Sequence, residues 1–206
     1  MKNGDWLRAN FALTVKTGCL KCLSPFFNRQ INGAKVSAAN RVRLQRVLRE
    51  AEGYLELGMP RQALALLQEI KKPGTYRGHQ LYLQGEALRA LENYQDAVPV
   101  LVDAVDLAPS NIQAWMALGW CYKRTGRLDE AIESLKRAHE VEPSEPLIEY
   151  NLACYYSLKG AKQQALEWLS RAINSNPTLR DMVRREPDFD AIRTDPGFQA
   201  LVSVVV

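Results

Sequence analysis

Cysteine and histidine are the residue types in this chain whose chemistry would be most distinctive. Cys19 and Cys22 form a CxxC pair, a spacing used by zinc sites and by dithiol redox sites. A tetrahedral zinc site needs a second pair of ligands, and neither His79 nor His139 lies near this pair in sequence. A redox CxxC normally opens a helix that follows a strand, and no strand pattern surrounds this one. We therefore predict no metal and no cofactor, and we interpret the pair as incidental or of minor function.

The remaining candidates for catalysis have simpler interpretations. Cys121 and Cys154 fall within helical patterns, where a thiol acts as a small apolar side chain. Asp188, Asp190 and Asp195 could be drawn as a carboxylate cluster, but their spacing fits helix caps and solvated turns better. The sequence holds no Gly-rich phosphate loop, GxSxG or HExxH motif. We predict that the protein is not an enzyme and has no small-molecule substrate.

The elements that would position any functional side chain repeat every 34 residues. Small residues, leucines and closing prolines recur in register, at Ala51, Gly85, Gly119 and Ala153, at Ala63, Ala97, Ala131 and Ala165, at Leu67, Leu101, Leu135 and Leu169, and at Pro109, Pro143 and Pro177. This register predicts four units, at residues 44–77, 78–111, 112–145 and 146–179.

Each unit has the pattern of two helices joined by a tight turn. In the third unit Trp115, Leu118 and Tyr122 are three or four residues apart, which places them on one face of a helix. Gly126 ends this helix, and a second apolar face follows and ends before Pro143. Because a single such unit cannot bury its apolar faces alone, the units must stack on one another.

The pattern Trp115-x-x-Leu118-Gly119-x-x-Tyr122, followed by Ala131, Leu135, Ala138 and Pro143, resembles the tetratricopeptide repeat (TPR) family. The resemblance implies an all-α fold: a right-handed α-solenoid of helix-turn-helix TPR units over residues 44–179. The tail, residues 180–206, resembles more weakly the C-terminal ends of bacterial TPR arrays and is predicted to be a helical cap, in which Asp195 and Pro196 begin a helix.

The units depart from the family pattern at several positions. Glu50 and Gln84 replace a leucine, and Glu149 replaces a large apolar residue. Glu92 stands where the other units have glycine, and Pro99 lies early in a second helix, where it removes one backbone donor. Pro73 comes two residues early in the first unit, which predicts a short second helix there.

The resemblance also implies that the first helix of each unit lines a concave groove. Trp, Tyr and Arg are frequent anchors of protein interfaces, and we predict that a strip of such residues binds a segment of another protein. The alternative for each aromatic residue is packing between neighbouring units. The candidate peptide-binding residues are Tyr82, Glu86, Arg89, Met116, Trp120, Lys123, Arg124 and Tyr150. This predicts a protein interaction scaffold or adaptor.

Some family members grip a peptide's terminal carboxylate with a clamp of Lys, Asn and Arg side chains. Leu48 and Glu52 occupy the positions of its first Lys and Asn, and Gln113 and Ala117 occupy its later Lys and Arg positions. We therefore do not expect a receptor for chaperone tails.

Charge is unevenly distributed along the chain. Residues 1–49 hold ten Lys and Arg and one acid, a net charge of +9, whereas residues 50–206 hold 17 basic and 22 acidic residues, a net charge of −5. Residues 1–43 are predicted to be partly disordered or to form one short amphipathic helix. Ser37 is a plausible N-cap for a long helix that runs through to Leu57.

The basic segment leaves several roles open. It could attach the array to an anionic membrane surface, occupy the groove and inhibit it, or act as a targeting sequence. A structural array that self-associates is a further alternative, and nucleic-acid binding is not favoured. Without a clear export signal or a long apolar run, we expect a cytoplasmic location.

Overall fold

The computed structural model describes residues 38–203, and every regular element within that range is helical. The α-helices are α1 (Ala38–Glu56), α2 (Pro60–Gln68), α3 (Arg77–Ala90), α4 (Tyr94–Leu107), α5 (Ile112–Arg124), α6 (Leu128–Val141), α7 (Pro146–Leu158), α8 (Lys162–Ser175), α9 (Leu179–Arg185) and α10 (Pro196–Val202). Two 3₁₀ stretches, Gly74–Tyr76 and Pro187–Ile192, interrupt the series.

Successive helices pack in pairs, and each pair packs on the next. The main contacts join α1 to α2, α3 to α4, α5 to α6 and α7 to α8, and a second set joins α2 to α3, α4 to α5 and α6 to α7. The fold is the predicted all-α solenoid of helix-turn-helix units. Residues 1–37 lie outside the described range, and so do the predictions for the basic segment there, but residues 38–43 already belong to α1.

The buried columns of the repeat explain why the helices pack so closely. The small residues and leucines that recur every 34 residues have no exposed surface, as Ala63, Ala97, Ala131, Ala165, Leu67, Leu101, Leu135 and Leu169 show. Gly85 allows the tightest approach, because a Cβ atom added there would lie 2.4 Å from the Leu101 side chain. Small side chains on one helix thus accept leucines from its neighbour.

The turns within the pairs use a left-handed backbone residue. Gly58, Gly126 and Gly160 have φ values of 69°, 79° and 77°, and Glu92 takes the same conformation with φ 60°. In the third unit the Arg127 N–H then donates to the Tyr122 carbonyl at 2.8 Å and satisfies an end of α5. The departure at Glu92 therefore leaves the turn intact but forces a side chain into a conformation that favours glycine.

The proline departures act as predicted. Helix α2 has nine residues and ends before Pro73, whereas α4, α6 and α8 have 14 each. Pro99 lies inside α4 without ending it.

The C-terminal cap is built on α8. Helices α9 and α10 both contact α8, and Phe189, Ile192 and Phe198 are buried in the same core cluster. Asp195 caps α10 by accepting a hydrogen bond of 2.8 Å from the Gly197 N–H, with Pro196 in the first turn. This confirms the predicted helix start. No helix within residues 38–203 combines the length and apolar character needed to cross a membrane.

Candidate functional site

The resemblance to TPR proteins assigns the concave face to the first helices of the pairs, α1, α3, α5 and α7. All eight predicted binding residues lie on three of these helices. Their exposure differs from the expected open strip. Tyr150, Met116, Arg89 and Glu86 are only 2%, 4%, 6% and 8% exposed. Tyr82, Trp120 and Lys123 are half-buried, and Arg124 is exposed.

The expectation that Tyr150 and Met116 line an open groove is therefore wrong. Met116 and Tyr150 belong to the same core cluster as Ile148 and Phe189. Tyr150 is covered because residues 186–192, which we name the docked segment, lie against α7. The concave face is thus closed at its C-terminal half by the chain's own tail.

Polar contacts fix the docked segment to α5 and α7. The Tyr150 hydroxyl donates to Glu186 Oε2 at 3.0 Å. Lys123 forms an ion pair with Asp188, and each of these two side chains is 15% exposed. Glu186 also caps the 3₁₀ stretch, where its side chain accepts from the Asp188 N–H. The segment is therefore held by two different helices of the array.

An aromatic contact completes this arrangement. The Phe189 ring packs edge-on against Tyr150 with a centroid distance of 6.0 Å and lies 5.6 Å from the Phe198 ring. Phe189 has no exposed surface. A single phenyl ring thus joins the concave face of α7 to α10 in the cap.

Lys123 is the central cation of the site. Its ammonium group lies 5.1 Å from the Trp120 ring centroid and 5.6 Å from that of Tyr155, while its ion-pair partner is Asp188. At the next residue of α5, the guanidinium of Arg124 lies 5.0 Å from the Tyr94 ring. These positions combine aromatic surface with positive charge.

Burial sets the protonation of the groups around this cation. Burial raises the pKa of the Asp188 carboxyl, an effect that Lys123 opposes. Burial also raises the pKa of Cys154 well above its usual value, and nearby Asp188 and Glu186 add to the effect. Burial raises the pKa of Cys121 to about 12. Both thiols therefore stay protonated at neutral pH and are poor nucleophiles.

The N-terminal half of the concave face has a different set of contacts. Arg89 and Glu86, both on α3, form a bidentate pair with hydrogen bonds of 2.8 and 2.7 Å. His79 Nε2 lies 2.8 Å from Glu52 Oε1 and so links α3 to α1. The half-buried Tyr82 lies next to His79, with a ring separation of 6.1 Å. The side-chain pairs in this half, His79–Glu52 and Arg89–Glu86, therefore both lie within the array.

The sequence interpretation missed the docked segment. Asp190, which pairs with Arg193, and Asp195, which caps α10, behave as predicted for turns and caps. Asp188 does not. It lies within the 3₁₀ stretch, and its carboxylate forms an ion pair with Lys123 on α5. A phenylalanine between acidic residues was the signal that could have indicated a packed segment in place of a solvated turn.

Other features of the described residues lie away from this site. Residues 38–203 contain no cluster of three or more potential metal ligands. His139 packs edge-on against Trp168 at 5.0 Å. A cavity of about 260 Å³ opens between α1 and the end of α2, and its lining includes Arg43, Lys71 and Lys72 but none of the predicted binding residues.

Comparisons with known sequences agree with this architecture. Two tetratricopeptide repeat profiles match residues 82–146 and 150–179. The Superkiller protein 3 of Schizosaccharomyces pombe is 26% identical over 105 residues, which is 51% of this chain and 8% of that protein. The match thus spans less than a tenth of the length of this curated relative.

Solved structures share the fold. MamA is 22% identical, with 69% of this chain and 84% of MamA covered and a TM-score of 0.61. MamA 41-end from Desulfovibrio magneticus RS-1 is 21% identical, with coverage of 77% and 93% and a TM-score of 0.62. YrrB, described as a TPR protein with an unusual peptide-binding site, is 25% identical, with coverage of 68% and 81% and a TM-score of 0.57.

TPR proteins bind other proteins or peptides and are generally non-enzymatic scaffolds. The repeat register, the stacked helix pairs and the matched profiles all lead to the same conclusion. Residues 82–146 and 150–179 of this chain therefore match the tetratricopeptide repeat family.

Proposed function

We propose that this protein is a non-enzymatic scaffold or adaptor that binds a segment of another protein on its concave face. The observation that carries the proposal is the surface around Trp120. This half-buried aromatic side chain lies beneath the ammonium group of Lys123, and the exposed Arg124 follows on the same helix. Aromatic and Arg side chains in such partly covered positions are the usual anchors of a protein interface.

The neighbouring helix extends this surface. Tyr82 on α3 is half-buried, and burial next to the Glu86 carboxylate raises the pKa of its hydroxyl, which therefore remains a neutral hydrogen-bond donor. Helices α3 and α5 contact each other directly. A bound segment that lies across both helices would contact Tyr82 and Trp120 together.

The solved relatives support a peptide ligand. The structure of YrrB carries a peptide-binding site on the same fold, and TPR proteins as a family bind proteins or peptides. We extend that mode of binding to the surface of α3 and α5 in this chain.

A peptide-display selection against the full chain tests the proposal. Selected peptides should lose at least about tenfold in affinity for a Trp120→Ala variant, because truncation of an aromatic anchor removes most of its contact surface. The matched control is Leu107→Ala, since Leu107 is 59% exposed on the second helix of its pair. Unchanged affinity in a Trp120→Ala variant with native helix content would contradict the proposal.

The basic N-terminal part supports a second candidate function, attachment to an anionic membrane surface. In α1 the four arginines Arg41, Arg43, Arg46 and Arg49 are all exposed, and no acidic residue occurs between positions 38 and 49. Vesicles that contain phosphatidylserine should sediment the full chain at low salt and release it at high salt. Failure of R41Q/R46Q/R49Q to reduce sedimentation would contradict this role for α1.

A further inference from the structure

We infer that the docked segment is an internal occupant of the peptide-binding face, and that the partner segment that fits this face carries two carboxylates, two residues apart, followed by an aromatic ring. This inference rests on the proposed function and specifies its ligand. It also predicts that an external segment and residues 186–192 compete for the same part of the surface.

The docked segment contacts the array through three side chains of distinct chemistry. Glu186 accepts from the Tyr150 hydroxyl, Asp188 pairs with Lys123, and Phe189 packs on the Tyr150 ring. Asp190 is exposed and pairs only locally, with Arg193. The face therefore recognises a carboxylate, a second carboxylate two residues later and the phenyl ring that follows it.

The end of the array is already covered by other parts of the cap. Leu179 and Val183 of α9 and Phe198 and Val202 of α10 are buried, and both helices contact α8. A segment that served only to close the last helix would have no reason to reach α5. The ion pair between Asp188 and Lys123 joins residues 65 positions apart and spans the concave face.

The receiving groups occupy the positions that line the groove in TPR proteins. Lys123 is on the first helix of the third unit, and Tyr150 and Cys154 are on the first helix of the fourth. The Asp188–Lys123 pair and the Tyr150–Glu186 hydrogen bond are both made by side chains on this surface. An external segment with the same three groups could form the same contacts, because none of them depends on the covalent link to α9.

Buried charge makes the internal contact replaceable. The free-energy cost of removing a carboxylate and an ammonium group from water offsets much of their electrostatic attraction. A buried ion pair therefore adds little net stability. The unpaired ammonium group that remains after release of Asp188 would then favour another carboxylate over water. A competing segment can therefore replace Asp188, because release of Asp188 costs little and the Lys123 ammonium group then favours another carboxylate.

Fluorescence anisotropy with a labelled peptide of residues 184–194 tests the inference. The full chain and a D188N/F189A variant are compared, and D190N is the matched control because Asp190 belongs to the same segment and pairs with Arg193 in the cap. We expect the peptide to bind D188N/F189A at least about tenfold more tightly than the parent protein, with D190N equal to the parent. A peptide that carries the Phe189→Ala change should bind at least about tenfold less tightly.

Two further variants keep the test decisive. D188N alone conserves side-chain volume, so it remains informative if circular dichroism shows that the double variant is not folded. The D188N variant should also bind the peptide more tightly than the parent protein does. Adding Lys123→Glu to D188N should abolish the gain by reversing the charge that receives the carboxylate.

Equal or absent binding of the peptide to all folded variants would overturn the inference and leave residues 186–192 as part of the cap only. The loss of display-selected peptides on Trp120→Ala would still support the proposed function in that case.

Discussion

The two halves of the concave face use equivalent repeat positions in different ways. On α1 and α3, polar side chains pair within the array, as His79 does with Glu52 and Arg89 with Glu86. On α5, Lys123, the repeat equivalent of Arg89, pairs with the docked segment. On α7, Tyr150, the repeat equivalent of Tyr82, donates a hydrogen bond to the same segment. Register in the repeat thus determines where a groove side chain lies, while the residues that follow the array determine what it contacts.

This difference assigns separate roles to the two halves. The C-terminal half gains a buried aromatic core at the cost of accessible surface, since Tyr150 and Phe189 are almost fully covered. The N-terminal half keeps Tyr82 half-buried and its linking pair, His79 and Glu52, more than a third exposed. Substitutions in the two halves should therefore have unequal effects.

The largest expected effect is at Phe189. Phe189→Ala removes a fully buried ring that packs against both Tyr150 and Phe198, and it should lower the free energy of unfolding by about 3–5 kcal/mol. Tyr82→Ala in the N-terminal half should cost clearly less because Tyr82 is half-buried. Urea denaturation of both variants measures the difference, and equal losses would remove the distinction between the halves.

Close helix approach gives the next prediction. Gly85→Ala should lower the free energy of unfolding by about 1–3 kcal/mol, because its Cβ would lie 2.4 Å from Leu101. Gly119→Ala, the equivalent change in the third unit, should cost less because its nearest contact is 3.2 Å from Ala131. The control is Gly53→Ala, which meets nothing within 4 Å and should stabilise α1 by about 0.4–1 kcal/mol.

Thermal denaturation followed by circular dichroism ranks these three variants directly. An unchanged stability for Gly85→Ala would show that Leu101 can move aside, and the packing argument for the small column would then be wrong.

Double-mutant cycles compare one polar side-chain pair from each half. The Lys123–Asp188 pair is 15% exposed on both sides, and the cycle built from Lys123→Met and Asp188→Asn should give a coupling of about 1–2 kcal/mol. The His79–Glu52 pair is 38% and 37% exposed, so solvent screening should limit its coupling to less than about 0.5 kcal/mol. Chemical denaturation of the parent protein and the six variants at neutral pH supplies the stabilities, and a stronger coupling for His79–Glu52 would reverse the comparison.

The smallest expected effect concerns the turns. Glu92 has φ 60°, and Gly126 occupies the equivalent position in the third unit with φ 79°. Glu92→Gly should relieve backbone strain and raise the free energy of unfolding by about 0.5–1 kcal/mol, whereas Gly126→Ala should lower it by a similar amount. Effects of the same sign for the two changes, measured by urea denaturation, would contradict the view that both turns need the same conformation.

The sequence predicted the helix pairs because their signal is repeated. Columns such as Leu67 and Leu101 recur every 34 residues and prove to be fully buried, and an early Pro73 gives a short α2. These features are local or periodic, so a single chain reveals them. The same reasoning predicted the start of α10 at Asp195 and Pro196.

The docked segment could not be predicted in the same way. Glu186 contacts a residue 36 positions away and Asp188 one 65 positions away, and neither contact belongs to the repeat. Without the period, the acidic residues had the spacing of helix caps, and the groove position of Tyr150 suggested an accessible side chain. The path of the chain after the array determines both the contacts of these acidic residues and the burial of Tyr150.

Hydrogen–deuterium exchange of the full chain, with and without a display-selected peptide, tests the central claim most directly. The account predicts that the bound peptide slows amide exchange in α3 and α5, the helices that carry Tyr82 and Trp120, and leaves α4 and α6 unchanged. Protection confined to α4 and α6 would place the ligand on the opposite face and contradict the account.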